Sequence, residues 1–178
     1  MPTNRANASE LIAGLNEDLA HEYASIIQYR TYASTVRGPH RLSLRPMFAA
    51  EIADELSHAA LLADTLAALG ATPTTHPAPL RTVDTPVDML QQALEDEVAA
   101  LARYTERRQQ AEAQGHHGLA VHLDNVIADE TRHRDELQLV LSGWDAGTSE
   151  RPAERGRHEP AHRRVAAPDD RSIAARPR

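Results

Sequence analysis

The sequence predicts an all-α fold: a four-helix bundle built from two antiparallel hairpins joined by one long crossover. Three observations predict it. Aromatic residues are only 3% of the 178, and the rest of the apolar content is mostly Ala, Leu, Val and Ile, which favours helices over an all-β fold. Four segments repeat apolar residues at helical spacing between start and stop signals. Their connections are two short and one long, and that inequality sets the topology.

The first helix is expected from about Asn7, where Asn7 and Glu10 match a capping-box pattern, to the break at Gly38-Pro39. Its apolar stripe is Leu11, Leu15, Leu19, Ile26 and Ile27. The second starts near Ser43, accommodates Pro46 in its first turn and stops at Gly70. The third opens with Thr85-Pro86, a cap followed by proline at the first helical position, and ends near Gly115. The fourth runs from about Gly118 to Leu141. Short links make the first two helices one antiparallel pair and the last two another. Between the pairs lies GATPTTHPAPLRTVD, rich in Thr and Pro. Helices of about 27 residues are about 40 Å long, and about fifteen extended residues reach about 50 Å. The crossover can therefore run the length of the bundle and leave the second and third helices parallel.

An internal repeat carries the chemistry. Glu22, Tyr29, Glu55 and His58 in the first hairpin are matched by Glu97, Tyr104, Glu130 and His133 in the second. The pattern E-x6-Y-x25-E-x2-H occurs twice with identical spacing. Glu22 and Glu55 lie nearly equidistant from the Gly38-Pro39 turn, as do Glu97 and Glu130 from the turn near Gly115, so all four fall near mid-height of the bundle. A separation of three puts Glu55 with His58, and Glu130 with His133, on one helix face. Neighbours such as Leu19, Ile26, Leu62, Leu101, Val126 and Leu137 turn that face toward the core.

Four carboxylates and two imidazoles in a core are very costly unless paired or metallated. Two divalent ions balance four glutamates while the histidines stay neutral. Carboxylate oxygen with imidazole nitrogen suits iron or manganese. A Glu from each of two helices plus Glu-x-x-His from the other two is the ligand set of dinuclear carboxylate bundles. A single E-x-x-H would be better read as ordinary surface, but two copies matched in spacing and height, with both tyrosines repeated, point to metal. His21, His40, His76, His116, His117, His122, His158 and His162 have no partner at ligand spacing; Glu51 and Asp54 beside the site could line an iron entry or exit path but read better as solvated helix positions.

Composition narrows the chemistry further. The chain has 26 acids and 19 bases, a net charge of −7, and no cysteine, which excludes disulfides, thiolate zinc, iron–sulfur clusters and thiol catalysis. Every base is arginine, so Schiff-base lysine chemistry and a Walker-type phosphate loop are excluded too. No secretory signal pattern and no membrane-length apolar run is present, and a soluble cytoplasmic protein is expected. After residue 142 the composition shifts to Arg and Pro with few large apolar residues beyond Trp144, Val165 and Ile173. Residues 7–142 are therefore expected to form the bundle and residues 143–178 a disordered tail.

The stretches EYASIIQY (Glu22 to Tyr29), DELSHA (Asp54 to Ala59), EDEVAALARY and DETRH (Asp129 to His133) resemble the helix motifs of the ferritin-like superfamily, and of bacterioferritins most closely. The resemblance covers about residues 7–142. It implies Glu22, Glu55, His58, Glu97, Glu130 and His133 as ligands of a dinuclear iron ferroxidase centre. Glu55 and Glu130 would bridge, Glu22 with His58 and Glu97 with His133 would each serve one iron, and Tyr29 and Tyr104 would stand behind them. Haem-binding bacterioferritins carry methionine directly after the second-helix glutamate; Leu56 stands there, so no haem is expected. The short fifth helix that helps close a 24-subunit shell is replaced by the Arg/Pro-rich tail.

The expected activity is oxidation of Fe(II) to Fe(III) by dioxygen or peroxide at a centre of two iron ions, for iron storage or detoxification, in a homo-oligomer anywhere from dimer to 24-mer. The same site could serve a rubrerythrin-like peroxidase, which without cysteine would need an external electron donor, or a di-manganese catalase. A DNA-protecting mini-ferritin using the arginines of the tail is a weaker alternative. Six acids dilute the eight arginines there, and mini-ferritins build their metal site between subunits.

Overall fold

The computed structural model describes residues 3–149, with side-chain surroundings for residues 8–144. Among the described residues there are four helices and no strand: α1 (Thr3–Thr35), α2 (Arg41–Ala68), α3 (Pro86–Ala113) and α4 (His117–Ser149).

The links between helices follow local chemistry. Gly38 turns the chain between α1 and α2 at φ +82°, and Arg41 N–H donates to its carbonyl. Helix α2 ends with Gly70 at φ +75°, where Gly70 N–H bonds Ala67 and Ala71 N–H bonds Leu66, a Schellman closure. Gly115 closes α3 the same way, with His116 N–H returning to Ala111. At the start of α3 the Thr85 hydroxyl accepts from Asp88 N–H at 3.2 Å, with Pro86 at the first helical position.

Three boundaries differ from the sequence expectation. Helix α1 begins at Thr3, so Asn7 lies inside it and is not its cap; nothing between Thr3 and Asn7 breaks a helix. Helix α2 begins at Arg41, and the Ser43 hydroxyl donates back to the His40 carbonyl at 2.9 Å. Pro46 consequently sits in the second turn, where the carbonyl it cannot bond belongs to the exposed residue Leu42. Helix α4 passes through Gly143 to Ser149, so the composition shift does not end the bundle. Trp144 packs on the apolar cluster at that end with its ring centroid 4.1 Å from that of His40, the two rings tilted, which offsets the roughly 1 kcal/mol cost of a helical glycine. The expected tail beyond Ser149 lies outside the described residues.

The crossover is laid along α1. Asn16 holds its start, accepting from Thr74 N–H at 2.8 Å and donating to the Thr72 carbonyl at 3.4 Å. Ala78 N–H then bonds the Ala20 carbonyl, and residues 80–84 line a cleft with Gln28, Thr31 and Thr35. The segment thus travels in the direction of α1, against α2, and delivers α3 parallel to α2.

Two apolar clusters fill the bundle. One gathers Leu11, Leu15 and Leu19 with Leu62, Leu66, Ala111 and Leu123. The other gathers Tyr32, Val36, Leu44 and Phe48 with Met89, Leu90 and Leu137. The repeated Glu and His residues stand at mid-height between them, and Tyr104 and Tyr29 belong to the first and second cluster. Ile27 departs from the predicted stripe: it is 43% exposed and lies with Tyr23, Ile26 and Leu56 on the outer face toward Pro77. Five residues past Glu22 is about 140° around the helix, so Ile27 cannot share its face.

Candidate metal centre

The bundle brings all six predicted residues together. Glu22 comes from α1, Glu55 and His58 from α2, Glu97 from α3, and Glu130 and His133 from α4; each is 5% exposed or less. Their ligand atoms form two groups with all members within 4.8 Å of one another: Glu22, Glu55, His58, Glu130, and Glu55, Glu97, Glu130, His133. Glu55 and Glu130 belong to both. His58 Nδ1 is 3.0 Å from Glu130 and 3.7 Å from Glu22 and Glu55. His133 Nδ1 is 3.5 Å from Glu130 and 4.0 Å from Glu97.

These atoms are close but not hydrogen-bonded. Glu22 Oε2, both oxygens of Glu130, and Nδ1 of both histidines are buried with no hydrogen-bond partner. Buried polar atoms almost always find one. Orphans of this kind, all converging on one volume and all able to donate a lone pair, are what a metal site looks like from the protein side. The residues fit two divalent ions.

Protonation shows the same strain. Burial pushes Glu55 and Glu97 well above the usual carboxylate range, with Glu22 adding to it for Glu55 and Glu130 for Glu97. Burial opposes charge on the histidines, yet the surrounding carboxylates win: His58 is raised far above its ordinary value, and His133 is raised to about 11 by Glu130, Glu51 and Glu97. Glu130 goes the other way; against its burial, contacts to Glu97, His133 and His58 hold it below the ordinary range. Without metal, protons do the charge balancing.

The tyrosines act across the hairpins. The Tyr29 hydroxyl on α1 donates to Glu97 on α3, and the Tyr104 hydroxyl on α3 donates to Glu22 on α1. Each tyrosine therefore orients the glutamate of the other repeat. Both phenols are fully buried and held well above their ordinary pKa, by burial first and then by the adjacent glutamates, so they remain donors.

The outer nitrogens of the histidines follow the same crossed rule. His58 Nε2 on α2 faces Asp129 on α4 at 3.6 Å, and His133 Nε2 on α4 faces Asp54 on α2 at 3.2 Å. Glu51 adds a 2.8 Å contact to His133 Nε2. A carboxylate behind the imidazole fixes its tautomer, leaving Nδ1 free for metal. Glu51 and Asp54, expected to be merely solvated, thus belong to the centre, and Glu51 is buried. The signal for Asp54 and Asp129 was present in the sequence: the repeat is D-E-x-x-H, one residue longer than E-x-x-H. Glu51 has no such signal, since Val126 occupies the matching position.

A second buried group, like Glu51, stands outside the twofold pattern. Asp18, fully buried one turn before Glu22, accepts from Arg107 Nε at 2.8 Å, with Arg103 at 3.6 Å. Gly14 makes room for it; a methyl group there would lie 2.0 Å from Arg107.

Taken together, fold and site define a class: a four-helix bundle with a buried carboxylate–histidine cluster, able to hold metal, inside a single chain. The ferritin-like domain family matches residues 12–145, and the chain belongs to that family. A ferritin-like diiron-carboxylate protein from Bacillus anthracis str. Ames is similar at 44% identity and TM-score 0.75, over 76% of this chain and 97% of that one. The bacterioferritin of Rhodobacter capsulatus is similar at 25% identity and TM-score 0.69, over 78% and 87%. The dodecameric thioferritin of Bacteroides fragilis, at 24% identity and TM-score 0.73 over 79% and 89%, shares the fold. No curated protein matches the chain. Among the described residues no helix is long and apolar enough to cross a membrane.

Proposed function

We propose that the protein is a ferroxidase that takes two Fe(II) ions as substrate and returns Fe(III), with dioxygen or peroxide as electron acceptor. The observation that carries this reading is the pair of overlapping ligand groups sharing Glu55 and Glu130, with their lone-pair atoms buried and unpartnered. Glu55 and Glu130 bridge the two positions. Glu22 with His58 holds one, and Glu97 with His133 the other. Each iron loses one electron, and the two electrons leave together to one acceptor molecule, which is why two metals are held side by side.

The chain's own groups prepare this. Tyr104 and Tyr29 orient Glu22 and Glu97, and Asp129 and Asp54 present the lone pairs of His58 and His133 inward. The apolar clusters above and below keep the polar volume small. The resemblance to a diiron-carboxylate protein at 44% identity supports iron as the metal. Relatives of this fold include a dodecamer, which supports a homo-oligomer here, serving iron storage or detoxification.

Adding Fe(II) to the metal-free protein and then air should give a fast ferric absorbance phase that saturates near two iron ions per chain. Glu97→Ala and Glu130→Ala should abolish it. Persistence of that phase in both variants would refute the site, whereas peroxide turnover far faster than aerobic iron oxidation would move the assignment to a peroxidase or catalase on the same ligands.

A further inference from the structure

We propose that Arg132 is a charged gate controlling passage of metal ions between the centre and solvent on the α2/α4 face. The inference rests on the metal-binding reading above and adds to it the route and its control.

Apolar clusters seal both ends of the bundle. On the α1/α3 side the crossed Tyr29–Glu97 and Tyr104–Glu22 bonds stand between the centre and a cleft that Arg81, Arg103 and Asp96 line. On the α2/α4 side the groups behind the histidines are acidic: Glu51, Asp54 and Asp129, of which Asp54 and Asp129 reach solvent. Carboxylates leading from solvent to buried lone pairs make a path a divalent ion can follow.

Arg132 blocks that path. Its Nη2 donates to Asp54 Oδ2 at 2.7 Å and stands 3.8 Å from Asp129, so one guanidinium spans the aspartates behind both histidines. The same Nη2 lies 3.0 Å from His133 Nε2, both nitrogens sharing Asp54 Oδ2 as acceptor. A cation arriving here meets a positive charge first. Arg132 is half exposed, with solvent to swing into, unlike the six ligands. It is also outside the duplication: Asp54 and Asp129 occupy matching positions in the two repeats, but the match to Arg132 is Ser57. The repeated residues build the centre, and the unrepeated arginine lies over its exit. A gate changes the rates of exchange more than the equilibrium affinity, because Arg132 stands in the path and is not itself a ligand.

Stopped-flow binding of Co(II), read by its visible absorption in the metal-free protein, tests this. Removing a unit charge a few ångströms from the path of a divalent ion should accelerate binding about tenfold at low salt. Arg132→Gln should raise the association and dissociation rates together, each by more than it changes Kd. Arg108→Gln, which removes an exposed arginine paired with Asp124 elsewhere, should change neither. Unchanged rates in Arg132→Gln, or equal acceleration by Arg108→Gln, would overturn the gate while leaving the centre intact. A change confined to Kd would overturn it as well, by making Arg132 a support for the ligands. Failure of the wild-type protein to bind Co(II) at all would sink the centre, and the gate with it.

Discussion

Loading the metal-free centre with a divalent ion should expel protons, and the fold says how many. Glu55, Glu97, His58 and His133 all have pKa values raised by their surroundings, the carboxylates by burial and like charge, the histidines by carboxylates that overcome burial. Metal needs all four deprotonated. Two protons come from the imidazoles, whose raised values keep them charged at neutral pH, and up to two more from the glutamates. Isothermal calorimetry with Zn(II) at pH 7, in buffers of different ionisation enthalpy, should give a slope corresponding to about two to four protons per chain. The product of the two binding constants should then fall by about two to four decades per unit drop in pH.

The sign extends to stability. A folded pKa above the unfolded value means the metal-free fold holds extra protons, and its stability falls as pH rises. The histidine contribution is fully present below pH 6.5, and that of His133 is lost as pH passes about 11. The metal-free protein should therefore melt at lower temperature at pH 9 than at pH 6.5, and the zinc-loaded protein should not. A calorimetric slope of zero, or proton uptake, would refute this charge assignment.

Two further outcomes follow from the crossed contacts. Tyr29→Phe should weaken the metal position of Glu97 and His133, and Tyr104→Phe that of Glu22 and His58, each by about 10–100-fold, seen as one weakened step in a two-step Co(II) titration; equal loss at both steps in both variants would contradict the crossed pairing. Breaking the buried pair with Asp18→Ala or Arg107→Met should cost about 3–5 kcal/mol in urea unfolding, because a buried charge loses its hydrogen-bonded partner, and the double variant should lose less than the sum.

Much of this protein was determined by local information. Helical spacing, the Thr85-Pro86 start and the glycine stops at 70 and 115 act within a turn or two of themselves, so the helices and the crossover were legible from the chain alone. The six candidate ligands stood out for another reason: duplication wrote them twice at the same spacing. Where no repeat or local signal exists, the chain is silent. Nothing near Gly143 announces that α4 continues, because its continuation depends on Trp144 meeting His40 and the apolar cluster from a distant hairpin. Ile27 belongs to an apolar stripe by residue type and to the outer face by helix geometry. The crossed partnerships, Tyr29 with Glu97, Tyr104 with Glu22, Asp54 with His133 and Asp129 with His58, join residues about 70 to 80 positions apart. Their identities recur in the sequence, but which copy serves which is decided only when the two hairpins pack face to face. Asp18 with Arg107, Glu51 with His133 and Arg132 over the aspartates have no repeat to betray them. Tertiary structure alone turns these from surface charges into a buried pair, a histidine support and a guanidinium spanning two aspartates.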